Sequence, residues 1–412
     1  MIKYQMGRPF PNIIGGALPM NIKYANRMDN LKASEIREIL KLSAQPEIIS
    51  FAGGLPAPEL FPIEEMKIVS VRVLEEMGQE ALQYSVTEGY YPLREKIAKR
   101  MKTFEIDTIA EEILITSGSQ QGLDFTGKIF LNPDDVVIVE SPSYLGAISA
   151  FKAYECKFVE APTDEHGMIM SELEKILETT ENVKFIYVIP DFQNPTGRTW
   201  PVERRKEFIK IANKYDIPVV EDNPYGELRF EGEIPPSIKS FDTEGRVIFL
   251  GTFSKTFTPG LRMGWVQAIP EILDKYIMVK QGSDLQTNSM TQRELNMFLE
   301  MYDLDAHIEK IKNVYRSRRD IMIKTMEETF PKNVTFTRPS GGLFTWVVFP
   351  EHVNARELMV KAIEQKVACV PGGSFFPNGG HENSIRVNYS NMPEDKIVEG
   401  ITRLAKVIKE GI

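Results

Sequence analysis

Cysteine is scarce in this sequence, and the two that occur, Cys156 and Cys369, have no paired spacing. Neither a disulfide framework nor a thiolate metal site is supported, and two buried thiols are the plain expectation. Histidine is almost as rare. His166, His307, His352 and His381 are scattered, and no two share ligand spacing, so no metal is expected. Positive charge is also in deficit, 49 Lys and Arg against 58 Asp and Glu for a net of -9. With no basic block either, a nucleic-acid partner is not expected. No stretch approaches the roughly 20 apolar residues needed to span a bilayer. Residues 1–18 mix charge, Pro and Gly and lack the apolar core of a signal peptide. These absences point to a cytoplasmic protein with no membrane partner. Internal repeats and low-complexity tracts are missing too.

What is present is an ordinary globular composition, 42% hydrophobic and 26% charged, on a chain of 412 residues that is long enough for two or three domains. Helical periodicity at 34–42 puts Ile36, Ile39 and Leu40 on one face. An extended segment at 48–51 then runs into the turn-rich Gly53-Gly54-Leu55-Pro56. Between about 90 and 290, β-branched runs at 113–116, 136–140, 185–190, 219–221, 247–250 and 264–268 alternate with helical patterns at 120–130, 171–178, 202–214 and 271–281. That alternation predicts an α/β body with a mostly parallel sheet, whose ligands sit beyond the carboxyl ends of the strands. From 304 to 330 a long helix carries Ile308, Ile311, Tyr315, Met322 and Met326 at helical spacing, and short strands and a closing helix at 395–409 follow. The expected division is an N-terminal segment 1–60 contributing to the small domain and substrate pocket, a large domain 61–300, and a small α+β domain 301–412.

The chemistry-bearing motifs fall just after predicted strands. Gly251-Thr252-Phe253-Ser254-Lys255 is followed by Arg262 in Pro259-Gly260-Leu261-Arg262. Thr252, Ser254 and Arg262 suit a phosphate, while Lys255 suits a Schiff base with an aldehyde on the same molecule, provided its surroundings favour the neutral amine. Val219-Val220-Glu221-Asp222-Asn223-Pro224-Tyr225 delivers a carboxylate to the cleft floor. A pyridine ring needs such an anion to keep its nitrogen protonated and act as an electron sink. Tyr225, and Asn194 in Asn194-Pro195-Thr196-Gly197, can donate to the phenolic oxygen of that ring. Thr116-Ser117-Gly118-Ser119-Gln120-Gln121 turns from a strand into a helix, where free N–H groups, Ser119 and Gln120 make a phosphate cup. Tyr144 follows the next strand and can stack on a flat ring. Each motif has a bland counterpart: a solvated loop, an Asp-Asn-Pro turn, a Ser N-cap, a core aromatic. Their assembly at successive strand ends is what argues for a cofactor.

These motifs resemble those of the fold-type I, class I/II aminotransferases, over nearly the full chain. Ser50-Phe51-Ala52-Gly53-Gly54-Leu55-Pro56, Leu82-Gln83-Tyr84-Ser85, Gly118-Ser119-Gln120-Gln121 and Val370-Pro371-Gly372-Gly373 look like the 2-aminoadipate, kynurenine and aromatic aminotransferase branch. The resemblance implies a mostly parallel seven-stranded sheet in the large domain and pyridoxal 5'-phosphate as cofactor. It implies Lys255 as Schiff-base partner and proton carrier, and Asp222 at the ring nitrogen. Asn194 and Tyr225 would lie at the phenolic oxygen and Tyr144 on the ring. Ser119, Gln120, Thr252, Ser254 and Arg262 would hold the phosphate, joined by Tyr84 from the neighbouring subunit of a homodimer with composite sites. Arg386 would bind the substrate's α-carboxylate, with Gly54 and Asn194 beside it, and Arg37 the distal carboxylate of an acidic substrate.

The implied reaction is ping-pong transfer of an amino group from an α-amino acid (2-aminoadipate, glutamate, aromatic or branched-chain) to a 2-oxo acid such as 2-oxoglutarate. A lyase or decarboxylase on the same scaffold is the alternative, since the electron sink is shared. A transcription regulator with an aminotransferase-like effector domain is a further one, disfavoured by the negative charge and by the shortness of the stretch ahead of the helix at 34.

Overall fold

The computed structural model describes residues 22–30, 45 and 47–412; the helix expected at 34–42, and Arg37 with it, lies outside them. In chain order, strand β1 (Ile49–Ser50) is followed by helices α1 (Ile63–Ala81) and α2 (Tyr91–Met101). Strand β2 (Ile113–Ser117) runs into α3 (Ser119–Phe130), and β3 (Val136–Ser141) into α4 (Leu145–Lys152). Next come β4 (Lys157–Asp164), β5 (Gly167–Met168), α5 (Met170–Thr179) and β6 (Val183–Val188). Helix α6 (Val202–Lys214) precedes β7 (Val219–Asn223), β8 (Val247–Thr252) and β9 (Met263–Gln267). Helices α7 (Pro270–Gln281), α8 (Ser289–Met301) and α9 (Leu304–Thr329) follow. The remainder is β10 (Thr335–Phe336), β11 (Phe344–Val348), α10 (Ala355–Glu364), β12 (Val367–Ala368), β13 (Val370–Pro371), β14 (Ser384–Asn388) and α11 (Glu394–Gly411).

The larger sheet has the order β2-β9-β8-β7-β6-β3-β4-β5. Strands β8, β7, β6, β3 and β4 are parallel, whereas β9 is antiparallel to both β8 and β2. The expected count of seven strands falls one short. The eighth, β5, is a two-residue return antiparallel to β4 and too short to leave a periodic signal. Every residue of β7 and β8 is buried, as expected for strands covered on both faces. The chain steps outward from β3 to β4 and then returns to β6 on the other side of β3. The carboxyl ends of β3 and β6 therefore flank a topological switch point, the usual ligand position in such sheets.

The smaller sheet is antiparallel, in the order β10-β11-β14-β13. Strand β1 pairs in parallel with β12, which stitches the segment before α1 to the C-terminal third. Helix α9 starts at Asp303, whose carboxylate accepts from the backbone N–H groups of Asp305 and Ala306, an N-cap of ordinary kind. Its stripe of Ile308, Ile311, Tyr315, Met322 and Met326 is buried, and α11 packs along it. Ser143 N donates to Phe375 O at 2.9 Å, which ties the end of β3 to the turn after β13, and Asn388 N donates to Phe51 O at 2.9 Å, which ties β14 to the segment after β1. Among the described residues no helix is long and apolar enough to cross a membrane.

Candidate active site

A cavity of about 340 Å³ opens where β3, β6, β7 and β8 end. It is lined by Gly54, Ser119, Gln120, Tyr144, Asn194, Asp222, Tyr225, Thr252, Ser254, Lys255, Arg262 and Arg386. Residues named from seven separate stretches of the sequence thus meet in one place. Two of the expected residues do not join them. Tyr84 lies on the surface, 78% exposed, and Arg37 lies outside the described residues.

Strand β8 ends at Thr252, and the next turn delivers Lys255, whose Nζ donates to the carbonyl of Gly54 at 2.8 Å. Burial, with the nearby cations Arg386 and Arg262, lowers the lysine to about 8. Near neutral pH a usable fraction of it is therefore free amine. Asp222, at the end of β7, faces the opposite problem. Burial pushes its carboxyl up to about 7, opposed by a hydrogen bond that Oδ2 accepts from Tyr187 Oη at 2.9 Å. Its other oxygen, Oδ1, is buried without a hydrogen-bond partner among the described residues. An unpaired buried carboxylate oxygen is costly and marks a place for a donor or cation from a ligand.

Arg386 on β14 is held on every side. Nη1 donates to Asn194 Oδ1 at 2.8 Å and Nη2 to Ala52 O at 2.7 Å, and the guanidinium lies 4.3 Å from the Phe344 ring centre and 5.0 Å from that of Phe375. Burial lowers its pKa to about 10, so it stays cationic at neutral pH. Asn194 turns its other end to Tyr225, with Nδ2 donating to Oη at 3.4 Å. Because Arg386 is donor-only, its bond to Oδ1 fixes which end of the amide faces Tyr225.

The opposite end of the cavity is built from backbone. Gly118 precedes α3 at a φ of 77°, with no side-chain cap on the helix, so the first N–H groups of α3 are left for an anion. A β-carbon at Gly118 would lie 2.4 Å from Arg262 Nη2, so only glycine lets the guanidinium approach. Arg262 Nη2 donates to Ser117 O at 3.2 Å, while the hydroxyls of Thr252 and Ser254 lie 2.9 Å apart. The Tyr144 ring rests against Gly146, where a β-carbon would come within 2.4 Å of Cζ. Hydroxyls, an arginine and a helix start at one end, an aromatic face beside them, an amine, and an unpaired carboxylate beyond it fit a phosphorylated pyridine aldehyde.

Sequence reasoning missed Tyr187 and Phe344. Tyr187 lies within β6 and reads as core, although a buried tyrosine hydroxyl must find a partner, and that requirement was the available signal. Phe344 touches three site residues at once. A β-carbon on Gly54 would come 2.9 Å from its Cζ, its ring meets Tyr225 edge-on at 5.9 Å, and it underlies Arg386.

Residues 58–404 match the family Aminotransferase class I and II. The chain belongs to that family. The aminotransferase is 46% identical to the aromatic-amino-acid aminotransferase 1 of Thermococcus litoralis, over 94% of each chain. Among solved structures, the Pyrococcus horikoshii kynurenine aminotransferase, in complex with PMP, superposes with a TM-score of 0.90 at 43% identity, covering 94% of this chain and 97% of that one. The alpha-aminoadipate aminotransferase of Thermus thermophilus, complexed with N-(5'-phosphopyridoxyl)-L-leucine, gives 0.88 at 41% identity, over 94% and 97%. The protein has the fold-type I architecture and is a pyridoxal-phosphate-dependent enzyme that transfers an amino group between an amino acid and a 2-oxo acid.

Proposed function

We propose that the aminotransferase takes its amino group from a broad set of donors, 2-aminoadipate, glutamate, aromatic and branched-chain amino acids, and passes it to 2-oxoglutarate in ping-pong turnover. The observation that carries this is Arg386, a buried guanidinium pre-oriented by Asn194 and Ala52 toward the group that all these donors share, the α-carboxylate. The names of the relatives, aromatic, kynurenine and aminoadipate, span flat apolar and acidic side chains and support the breadth.

Bound pyridoxal phosphate supplies the carbon that receives the amino group and a ring that takes up the electron pair released at Cα. The protein's side chains do the rest. Lys255 Nζ takes the α-proton and returns it, a task suited to an amine whose pKa is lowered to about 8. Asp222 would hold a proton on the ring nitrogen, a donor that its unpaired Oδ1 lacks. Asn194 and Tyr225 would donate to the ring oxygen, and Tyr144 would cover one ring face. Ser119, Gln120, Thr252, Ser254 and Arg262 hold the phosphate. Arg386 clamps the carboxylate in a bidentate pair, beside Gly54. The working unit is a homodimer, which the run of exposed Ile63, Ile68, Val71, Leu74, Leu82 and Val86 along α1 and the loop after it supports. Tyr84, exposed on that loop, then completes the neighbour's phosphate site. In this reading 61–300 forms the cofactor domain and 301–412 the small one, with the segment before 60 closing the pocket.

The test is an amino-donor panel with 2-oxoglutarate, run on wild type and Arg37→Ala. Loss of about 1.5–3 kcal/mol for 2-aminoadipate and glutamate alone, the range of a hydrogen bond to a charged group, supports Arg37 as the reader of acidic side chains. Equal losses for leucine and phenylalanine refute that role, and activity with a single donor class refutes the breadth.

A further inference from the structure

A side-chain cluster built around one fully buried lysine lies on the outer side of the turn that opens α3, and none of its members lines the cavity. Lys280, near the end of α7, has a fully buried side chain whose Nζ lies 2.9 and 3.1 Å from the two carboxylate oxygens of Asp284 and 2.9 Å from Gln121 Oε1. Gln121 Nε2 donates to Asp284 Oδ2 at 2.8 Å, and Gln121 Oε1 also accepts from Ser117 N at 2.9 Å. Ser117 Oγ reaches the same carboxylate at 3.4 Å.

The chemistry of these groups leaves one arrangement. An ammonium only donates and a carboxylate only accepts, so the pair dictates which end of the Gln121 amide is which. Its oxygen must face Lys280, and in that orientation it also accepts from Ser117 N. The Ser117 residue is then gripped from both sides, its N–H by Gln121 from outside and its carbonyl by Arg262 from the cavity. The next residue is Gly118, whose positive φ sets the direction of the first N–H groups of α3. Burial lowers the Lys280 pKa and Asp284 opposes the shift, which fits an ion pair kept for geometry.

We propose that Lys280 and Asp284 are positioning residues for the phosphate end of the cofactor: through Gln121 they lock the Ser117–Gly118 turn on which that end of the site is built. The proposal rests on the assignment of Ser119 and Arg262 to the phosphate. It predicts an effect confined to that end. Cofactor-stripped full-length protein is titrated with pyridoxal phosphate and with pyridoxal, which lacks the phosphate, and binding is followed by visible absorbance. In Lys280→Met and Asp284→Asn the affinity for pyridoxal phosphate should fall at least about tenfold, in line with loss of a hydrogen bond to a charged group. The affinity for pyridoxal should stay within about twofold, and Lys280→Arg should recover part of the loss. Equal weakening of both ligands marks a merely structural pair and overturns the proposal, as does unchanged affinity for pyridoxal phosphate. Arg262→Met separates this from the underlying reading. If it loses pyridoxal phosphate selectively while the Lys280 and Asp284 variants do not, the brace alone fails. If it keeps the normal preference for the phosphorylated ligand, the phosphate assignment itself fails.

Discussion

Replacing Asp222 by asparagine should make the cofactor-free protein more stable as the pH rises, although it damages catalysis. Burial raises the Asp222 pKa from 3.8 to about 7. A carboxyl with a raised folded-state pKa contributes stability that is fully present below its unfolded value and is lost as pH rises through its folded value. Cofactor-free wild type should therefore lose stability between about pH 4 and 7 and level off above that. Three pK units at 1.36 kcal/mol each amount to about 4 kcal/mol, an order-of-magnitude figure for a fully buried group. The substituted asparagine has no charge to bury, and its side-chain oxygen can still accept from Tyr187. Glu140 is pushed up to about 7 as well, but it is present in both proteins and cancels in the difference. Urea midpoints followed by circular dichroism from pH 4 to 9, for both proteins without cofactor, read the effect. The asparagine variant should gain on wild type steadily through this window and hold its advantage above pH 7. With saturating pyridoxal phosphate the advantage should shrink or reverse, as the proposed pairing of the protonated ring nitrogen with the wild-type carboxylate requires. Parallel pH profiles in the cofactor-free proteins would show that Asp222 is not strained by burial and refute an energetic bias of that carboxylate toward a cationic partner.

Lys255→Ala should abolish multiple turnover while the cofactor is still retained non-covalently; turnover near the wild-type rate without added amine refutes its role as proton carrier. Glu140 accepts from Ile189 N and Trp200 Nε1, both at 3.0 Å, and both are neutral donors. Burial pushes its carboxyl up to about 7 against those two bonds, so its stabilisation is strongest below pH 4.5 and lost as pH rises through about 7. Glu140→Gln, which leaves one donor poorly served, should lower the melting temperature more at pH 5 than at pH 8, and an equal drop at both contradicts this. Gly118→Ala forces a side chain into a conformation that costs of order 1–3 kcal/mol and pushes aside the Arg262 guanidinium. It should weaken pyridoxal phosphate binding in an absorbance titration, and unchanged binding would show that the turn does not shape the phosphate end.

Much of the large sheet was legible because β2, β3, β6, β7 and β8 carry β-branched residues and are largely buried, and β9 is buried throughout, which makes most of them short runs with little charge. Strand β4 was not, since it lies near the sheet's edge and carries Lys157, Glu160 and Asp164 in partly exposed positions. Helix α1 shows exposed Ile63, Ile68 and Val71, which blurs its periodicity, and Met77 breaks its helical dihedrals. Helix α8 buries Gln292, Arg293 and Asn296, polar residues that a hydrophobic pattern assigns to solvent. The site was legible motif by motif because strand ends carry Lys255, Asp222, Asn194 and Tyr144. What joins the motifs was not. Arg386 meets Asn194 across 192 positions and Ala52 across 334. Lys280 meets Gln121 across 159. No local spacing encodes such pairs: the first two arise where the two sheets' surroundings meet, and the third where α7 packs against α3.

The bond between Asn194 and Arg386 also has a practical meaning for anyone redesigning this enzyme. Asn194 follows β6 of the larger sheet and Arg386 stands on β14 of the smaller one, so in the proposed reading electron handling and carboxylate capture rest on separate supports that this amide joins. A mutant library confined to β13 and β14, which leaves Phe344 and its contact with Tyr225 alone, should drift in donor preference while the visible spectrum of the bound cofactor stays where it was. Changes at Asn194 itself have no such freedom, because that amide faces both supports.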